Sequence, residues 1–429
     1  MRKTLEEIYS IFLINRSVST DSRQIIPGCL FFALKGENFD GNKYAQKAID
    51  AGATYAVIDD KNYDGESTIL VDDALVTLQH LAKMHRRKFN IPVVAITGSN
   101  GKTTTKELLN AVLSQKYKVT ATKGNLNNHI GVPLTVLGIT GETQLTIIEM
   151  GANHQGEIAQ LCAIAEPTHG LITNIGKAHL GGFGGYEGII KAKSELYLWL
   201  RASGGLAFLN ADNQLLMKLT TGIERTLYGT QEDVFARGKA RENTDMLTID
   251  WITGEGNIAL ETNLAGNYNF ENVMAAICTG LFFKIPTAEI KIAICNYFPS
   301  NSRSQVMKTA KNSIILDAYN ANPTSMQAAI ENLRQVKAKH KMVVLGDMLE
   351  LGDESLSEHS ALTKLIEESN FEKVILVGPD FTEAAHSIFT CFRTSEEARD
   401  WLKTQDIKGY TILVKGSRGI RMENVLESL

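Results

Sequence analysis

The chain has 429 residues, 44% of them hydrophobic and 21% charged, with a formal net charge of -4. That length is too great for one ordinary core and implies roughly two to four domains, while the composition leaves no room for a dominant disordered region. A slightly acidic balance without a long basic run gives non-specific nucleic-acid binding little electrostatic support. The five cysteines, Cys29, Cys162, Cys278, Cys295 and Cys391, are scattered and include no CxxC pair, which argues against a disulfide framework and a structural zinc site. The N-terminus turns acidic at Glu6-Glu7 before any apolar stretch, and Ile11-Phe12-Leu13-Ile14 is too short for a signal core or a span. A cytoplasmic protein without membrane insertion is expected.

Along the chain, Thr20-Asp21-Ser22-Arg23 offers a guanidinium and hydroxyls suited to a phosphate or uridine group, or else forms a helix-capping turn. The run Cys29 to Leu34 predicts a strand, and Tyr44 to Ala51 and Leu81 to Phe89 predict helices. Pro92 stops the second of these, which places a domain boundary there and gives a small N-terminal α/β domain over 1–90. From residue 91 the strand candidates Val93 to Thr97, Leu145 to Met150 and His169 to Asn174 alternate with helical patterns. Such alternation predicts a doubly wound, P-loop ATPase-like central domain over 91–298. A second series, Ser313 to Asp317, Met342 to Leu345, Val374 to Val377 and Tyr410 to Val414, predicts a Rossmann-like α/β domain over 299–429. The expected fold class is therefore α/β in three domains.

The segment Thr97-Gly98-Ser99-Asn100-Gly101-Lys102-Thr103 lies between a buried strand and a helix. There, backbone N–H groups and the helix dipole favour a phosphate, with Lys102 reaching the β- and γ-phosphates and the Thr103 hydroxyl a Mg2+ ion. The usual pattern puts its first glycine where Ile96 stands, so this is a shortened form using Gly98. An ordinary capping turn is the alternative. Glu149 ends the next strand at the C-terminal edge of the sheet, where it serves a metal or is simply a solvated strand-end carboxylate. His179 follows the strand ending in Thr173-Asn174; alone it is a weak ligand candidate, and its glycine-rich loop fails the spacing for NAD. Lys193 falls in the stripe Ile189, Lys193, Leu196, Leu200, and so points to the core. Burial and the cation Lys191 are expected to lower its pKa and free its amine, unless the side chain snorkels out. Asn127 and Asn128 lie in the amide-rich run Lys123 to His129, a candidate substrate segment or a plain polar loop.

Taken together these segments resemble the Mur ligase family over nearly the full length, and most of all its dipeptide-adding branch. The resemblance rests on Gly98 to Thr104 as the ATP loop, Glu149 to His154 and Asn174 to His179 as metal segments, Lys191 to Tyr197, and Leu264 to Asn272. It also rests on Asp317 to Met326, Gly346 to Gly352, Val414 to Arg418, and Asp21-Ser22-Arg23 with Pro27 to Phe32.

The resemblance implies a ligase of peptidoglycan precursor synthesis that joins D-alanyl-D-alanine to UDP-N-acetylmuramoyl-tripeptide through an acyl phosphate, using ATP and Mg2+. Lys102, Glu149, His179 and a carbamoylated Lys193 are its implied catalytic residues, with Thr103, Glu149, His179 and Lys193 on the metal side. Gly98, Ser99, Asn100, Gly101, Lys102, Thr103 and Thr104 would bind ATP phosphates, Asn269 and Asn272 adenine, Arg303 phosphate and Asp317 ribose. Ser22, Arg23, Asn127, Asn128, Asn320, Asn322 and Asp347 would serve the substrates, the last three on the acceptor side. Tyr268 departs from the histidine common there. By the same resemblance the first domain grips the UDP end, the third closes over ATP, and the enzyme is a monomer. The nearest rival is another ligase of the same family, such as the enzyme adding the third residue or a folylpolyglutamate synthase. A rival of a different class, a phosphate-loop switch lacking a small acceptor, is disfavoured by the Asn- and Asp-rich strand ends of the third domain.

Overall fold

The computed structural model describes residues 2–242, 246–299, 303–385 and 389–429. Short, β-branched runs bounded by glycine and polar residues form its strands, and most are buried on both faces because helices cover them. The first unit is a parallel four-stranded sheet in the order Val18–Ser19, Leu30–Phe32, Tyr55–Ile58, Thr68–Leu70. Its helix Ala74–Arg86 starts on the Asp73 carboxylate, which accepts from the Val76 N–H, and docks against the second unit through charge that burial does not strand. The Arg86 guanidinium donates to the carbonyls of Ala165, Phe89 and Glu166. Carbonyl partners for the fork remove most of the cost of burying this cation.

The second unit is a nine-stranded sheet. Val93–Thr97 lies at its topological switch, with His169–Ile172 on one side and Leu145–Glu149 on the other, both parallel to it. In an open α/β sheet the crevice at such a point, outside the carboxyl ends of the strands, is where ligands bind. The far edge of the sheet was not anticipated. Ala236–Ala240, Thr248–Thr253 and Gly256–Glu261 form an antiparallel meander there. Its strands mix buried, half-buried and exposed positions with polar residues among the apolar ones, rather than forming the continuous apolar runs that betray a buried parallel strand.

The third unit carries six strands in the order Gln305–Lys308, Ser313–Asp317, Tyr410–Lys415, His340–Gly346, Lys373–Val377, Thr390–Phe392. All pairs but the first are parallel. Two of its central strands end in Asp317 and Lys415, whose side chains line the same cavity as the phosphate loop. The third unit is seated by polar contacts around that loop. The Asn322 Nδ2 donates to Asn100 Oδ1 at 2.7 Å, and the Lys177 N–H donates to Thr324 Oγ1 at 3.0 Å.

Candidate functional site

The fully buried strand Val93–Thr97 leads into Gly98 at φ 141° and Gly101 at φ 80°. Both positions demand glycine twice over. A Cβ on Gly98 would lie 2.0 Å from Thr173 Oγ1, and one on Gly101 would lie 2.5 Å from Asn272 Oδ1. The loop is pinned by its neighbours: Ser99 N–H donates to the Asn174 carbonyl (3.0 Å) and Asn100 N–H to Asn174 Oδ1 (3.0 Å). The Thr173 hydroxyl donates to the Asn100 carbonyl (2.6 Å). Because Gly101 supplies no side-chain cap, the helix Lys102–Leu113 opens with no side-chain acceptor on its first N–H groups, an arrangement that suits an anion. Lys102 Nζ folds back to donate to the carbonyls of Gly98 (2.7 Å) and Ser99 (3.1 Å). Burial lowers its pKa to about 8, against the pull of Glu149 and with help from Arg303.

Glu149 ends its strand only 1% exposed. Its Oε1 accepts from Asn127 Nδ2 at 2.7 Å and from the Thr103 hydroxyl at 3.2 Å. Its Oε2 is buried and has no hydrogen-bond partner among the described residues. A buried carboxylate oxygen left bare beside a phosphate loop is costly unless a cation completes it, so Glu149 and Thr103 fit a hard divalent ion such as Mg2+. His179, in the left-handed region at φ 55°, caps the short helix Leu180–Phe183 and lines the same cavity, its Nδ1 paired with Glu350 Oε2.

Lys193 sits on the helix Tyr186–Ser203, 2% exposed, among buried Ile189, Leu196 and Leu200. Its Nζ lies 3.4 Å from the Ala152 carbonyl and 5.0 Å from the centre of the Phe183 ring, with no carboxylate within salt-bridge range among the described residues. Burial lowers its pKa to about 7, and the cation that adds to this is Lys102 rather than the expected Lys191, which is exposed. Lys191 shares the helix but points to solvent. Glu195, two residues on, accepts from the N–H groups of Gly156 (2.6 Å) and Ala159 (2.9 Å) and so anchors the start of the helix Glu157–Ala165.

One cavity of about 750 Å3 gathers these groups. Its walls include Ser99, Asn100, Gly101, Lys102, Thr103, Thr104, Asn127, Asn128, Glu149, His179, Asn269 and Asn272 from the second unit, and Arg303, Asp317, Asn320 and Asn322 from the third. Asn272 is fixed between Thr105 Oγ1, which donates to its Oδ1 (3.0 Å), and Asn269 Oδ1, which accepts from its Nδ2 (2.9 Å). Asn128 Oδ1 accepts from the N–H groups of Ile130 and Gly131, and Asn322 caps the helix Pro323–Gln335. Gly98 and Lys193 are not among its lining residues.

Three predicted substrate residues are elsewhere. Arg23 is exposed, and its guanidinium is spent on Asp21 at 2.7 Å; it and Ser22 form a turn in the first unit, with no helix following and away from the cavity. Asp347 is a correction of substance. Its carboxylate is 1% exposed and accepts from the N–H groups of Asp380 (2.9 Å) and Phe381 (2.8 Å), so it anchors a helix start and does not line the cavity. Gly378 makes room for it: a Cβ there would be 2.1 Å from the Asp347 carboxyl carbon. Asp347→Ala should therefore destabilise the protein by about 2–3 kcal/mol by stripping a helix start of its acceptor. Urea unfolding of the variant checks this.

Sequence reasoning named Arg303 and Tyr268 without their contacts, and it assigned no role to Lys415 or Tyr319, which line the same cavity. Lys415 is buried and its Nζ meets Asp317 Oδ2 at 2.5 Å; a lysine directly after the apolar run Tyr410 to Val414 was the available signal. Arg303 stacks on the Tyr319 ring at 3.6 Å, which no spacing rule reveals. Tyr268, in place of the common histidine, is packed on Gly266 and shares a 3.0 Å hydrogen bond with the Ser304 hydroxyl.

Three family models cover the chain: the Mur ligase family catalytic domain at residues 16–96, the Mur ligase middle domain at 96–280, and the Mur ligase glutamate ligase domain at 302–418. The chain is also 37% identical over 428 residues to the UDP-N-acetylmuramoyl-tripeptide--D-alanyl-D-alanine ligase of Bacillus subtilis, an alignment that takes 96% of this chain and 92% of that relative. The chain belongs to the Mur ligase family. Among solved structures, MurF from Acinetobacter baumannii superposes with a TM-score of 0.87 at 32% identity, covering 96% of this chain and 93% of that one. A MurF ligase from Thermotoga maritima in complex with ADP gives 0.86 at 27% identity, covering 97% of each. The three-unit α/β architecture expected from the sequence is thus that of a Mur ligase. No helix among the described residues is long and apolar enough to cross a membrane.

Proposed function

We propose that this Mur ligase joins D-alanyl-D-alanine to UDP-N-acetylmuramoyl-tripeptide, converting ATP to ADP and phosphate in peptidoglycan precursor synthesis. The observation that carries the reading is the bare buried Glu149 Oε2 beside Lys102 and Thr103, in a cavity whose opposite wall is the polar strand ends of the third unit. Relatives of that name, matched over almost their whole length, support the choice of substrates.

In this reading residues 1–90 hold the UDP end, with Ser22 and Arg23 near it, residues 91–298 hold ATP, and residues 299–429 close over ATP and bind the acceptor. The tripeptide's terminal carboxylate attacks the γ-phosphorus of ATP; a C–O–P bond forms, the bridging P–O bond breaks, and ADP leaves. The acceptor amine then attacks the acyl carbon, phosphate departs, and the amine loses its proton. Lys102 and Arg303 neutralise charge that spreads over the transferring phosphoryl group, which is where catalysis of this step chiefly lies. Asn269 and Asn272 face the adenine and Asp317, steadied by Lys415, the ribose. Asn320 and Asn322 face the acceptor, and Asn127 and Asn128 the tripeptide. Asp347 holds the start of the helix Pro379–Ala384 rather than touching the dipeptide.

Glu149, Thr103, His179 and Lys193 would hold Mg2+, which when bound supplies Lewis-acid polarisation and a template for carboxylate and phosphate oxygens. Lys193 suits that company once its neutral amine adds to CO2, forming an N–C bond and releasing a proton to leave an anionic carbamate. Its depressed pKa and lack of a carboxylate partner support this. The seated third unit would keep water from the acyl phosphate. The reading takes the enzyme as a cytoplasmic monomer, and its five free thiols fit a reducing compartment.

Phosphate release tests the assignment. It should require both UDP-muramoyl tripeptide and D-alanyl-D-alanine, assayed with lysine and diaminopimelate tripeptides side by side. Release independent of both substrates would overturn the ligase reading, and preference for a single amino acid would move it to a sibling activity.

A further inference from the structure

His179 stands at the carboxyl edge of the central sheet, yet its partner arrives from the third unit. Glu350 lies in the loop after the strand His340–Gly346, and its Oε2 pairs with His179 Nδ1. That loop is held on both sides of the carboxylate. The Met348 N–H donates to the buried His359 Nε2 (3.1 Å), the Leu349 N–H donates to Ser417 Oγ (2.9 Å), and Met348 and Leu351 are buried. Glu350 itself takes φ 68°, uncommon for a residue with a side chain, so the turn is shaped at a cost. Two residues on, Gly352 is in van der Waals contact with the His179 segment: a Cβ there would lie 3.4 Å from Gly181 Cα. The two backbones approach at the point where the carboxylate crosses.

We propose that Glu350 is a positioning residue for His179: it accepts the Nδ1 proton and so leaves Nε2 as the lone-pair nitrogen, and it does this only while the third unit is seated on the second. The proposal rests on the reading of His179 as a metal-side residue. A neutral imidazole has one donor and one acceptor nitrogen, so a carboxylate on Nδ1 decides which is which. Histidines that ligate metals commonly give their other N–H to a carboxylate, and loss of that partner weakens metal binding. Here the partner is borrowed across an interface, which makes a competent imidazole conditional on closure. The neighbouring pairs Lys177–Glu358 (2.5 Å) and Asn322–Asn100 hold the same interface without touching His179, so they separate seating from positioning.

The test is Mn2+ affinity of the full-length protein in the presence of ADP, read by electron paramagnetic resonance, with the scattering radius as a check on closure. Glu350→Ala should weaken Mn2+ about tenfold, and Glu350→Gln, whose amide oxygen still accepts, by much less. His179→Ala should weaken it as much, the double variant no further, and Glu358→Gln should bind like the parent. If Glu350→Ala binds normally while His179→Ala does not, the assignment of Glu350 is overturned and that of His179 stands. If His179→Ala also binds normally, both fall. An equal loss in Glu350→Ala and Glu358→Gln would make the effect one of seating alone and overturn the positioning role.

Discussion

Lys102→Ala is expected to lower kcat about a thousandfold, equivalent to about 4 kcal/mol of transition-state stabilisation, with the fold intact. Among the described residues Lys102 Nζ donates only to the carbonyls of its own loop, so no packing element there depends on it. Those two carbonyls hold the ammonium at the mouth of the loop, and its pKa of about 8 keeps it mostly charged at neutral pH. An arriving γ-phosphate strengthens that charge. Lys102→Arg should also fail, because a planar fork does not fit a cradle built for a point charge. Steady-state kinetics beside thermal unfolding distinguish a lost charge from a lost fold.

The second large effect falls on Lys193, where Lys193→Ala should cost about a hundredfold or more in kcat. Short-chain carboxylates should restore part of it, because the space vacated by a carbamoylated lysine accepts an anion that replaces the carbamate. An unmodified lysine predicts no such rescue. Burial of an unpaired amine also costs stability, so Lys193→Met should leave the protein as stable as the parent or more so, while still inactive. Stability and activity moving apart would mark Lys193 as kept for chemistry. Normal turnover of Lys193→Ala would remove the carbamate from the mechanism.

Local patterns were legible wherever one element alone decides the outcome. The apolar run Val93 to Ile96, two glycines and a helix pattern were enough to place the phosphate loop, since strand, turn and helix there are contiguous. The burial of Lys193 followed from the 3.6-residue period of Ile189, Leu196 and Leu200, which names the face without naming the neighbours. Hence its electrostatic partner was missed: Lys102 comes from a different helix, whereas Lys191 was merely close in sequence. The same limit hid the pairs that join the units. Asn100 and Asn322 are 222 residues apart, and nothing in the period of either segment relates them. His179 with Glu350 is alike in this, being set by how two units meet, whereas Lys415 and Asp317 face each other on neighbouring strands of one sheet, a pairing that strand order alone decides. Asp347 misled for another reason. Its place on the acceptor side came from the resemblance of the segment Gly346 to Gly352, whereas its N–H partners, on Asp380 and Phe381, lie 33 and 34 residues on and no local pattern relates them to it.

The claim on which the account turns is that a carboxylate oxygen of the tripeptide becomes bonded to the γ-phosphorus. Ligation of UDP-muramoyl tripeptide carrying 18O in its terminal carboxylate, followed by mass analysis of the phosphate released, tests it. An acyl phosphate predicts one 18O transferred to each phosphate from a doubly labelled carboxylate. Unlabelled phosphate formed at the same rate as the amide would mean that its new oxygen came from water, and would contradict the mechanism.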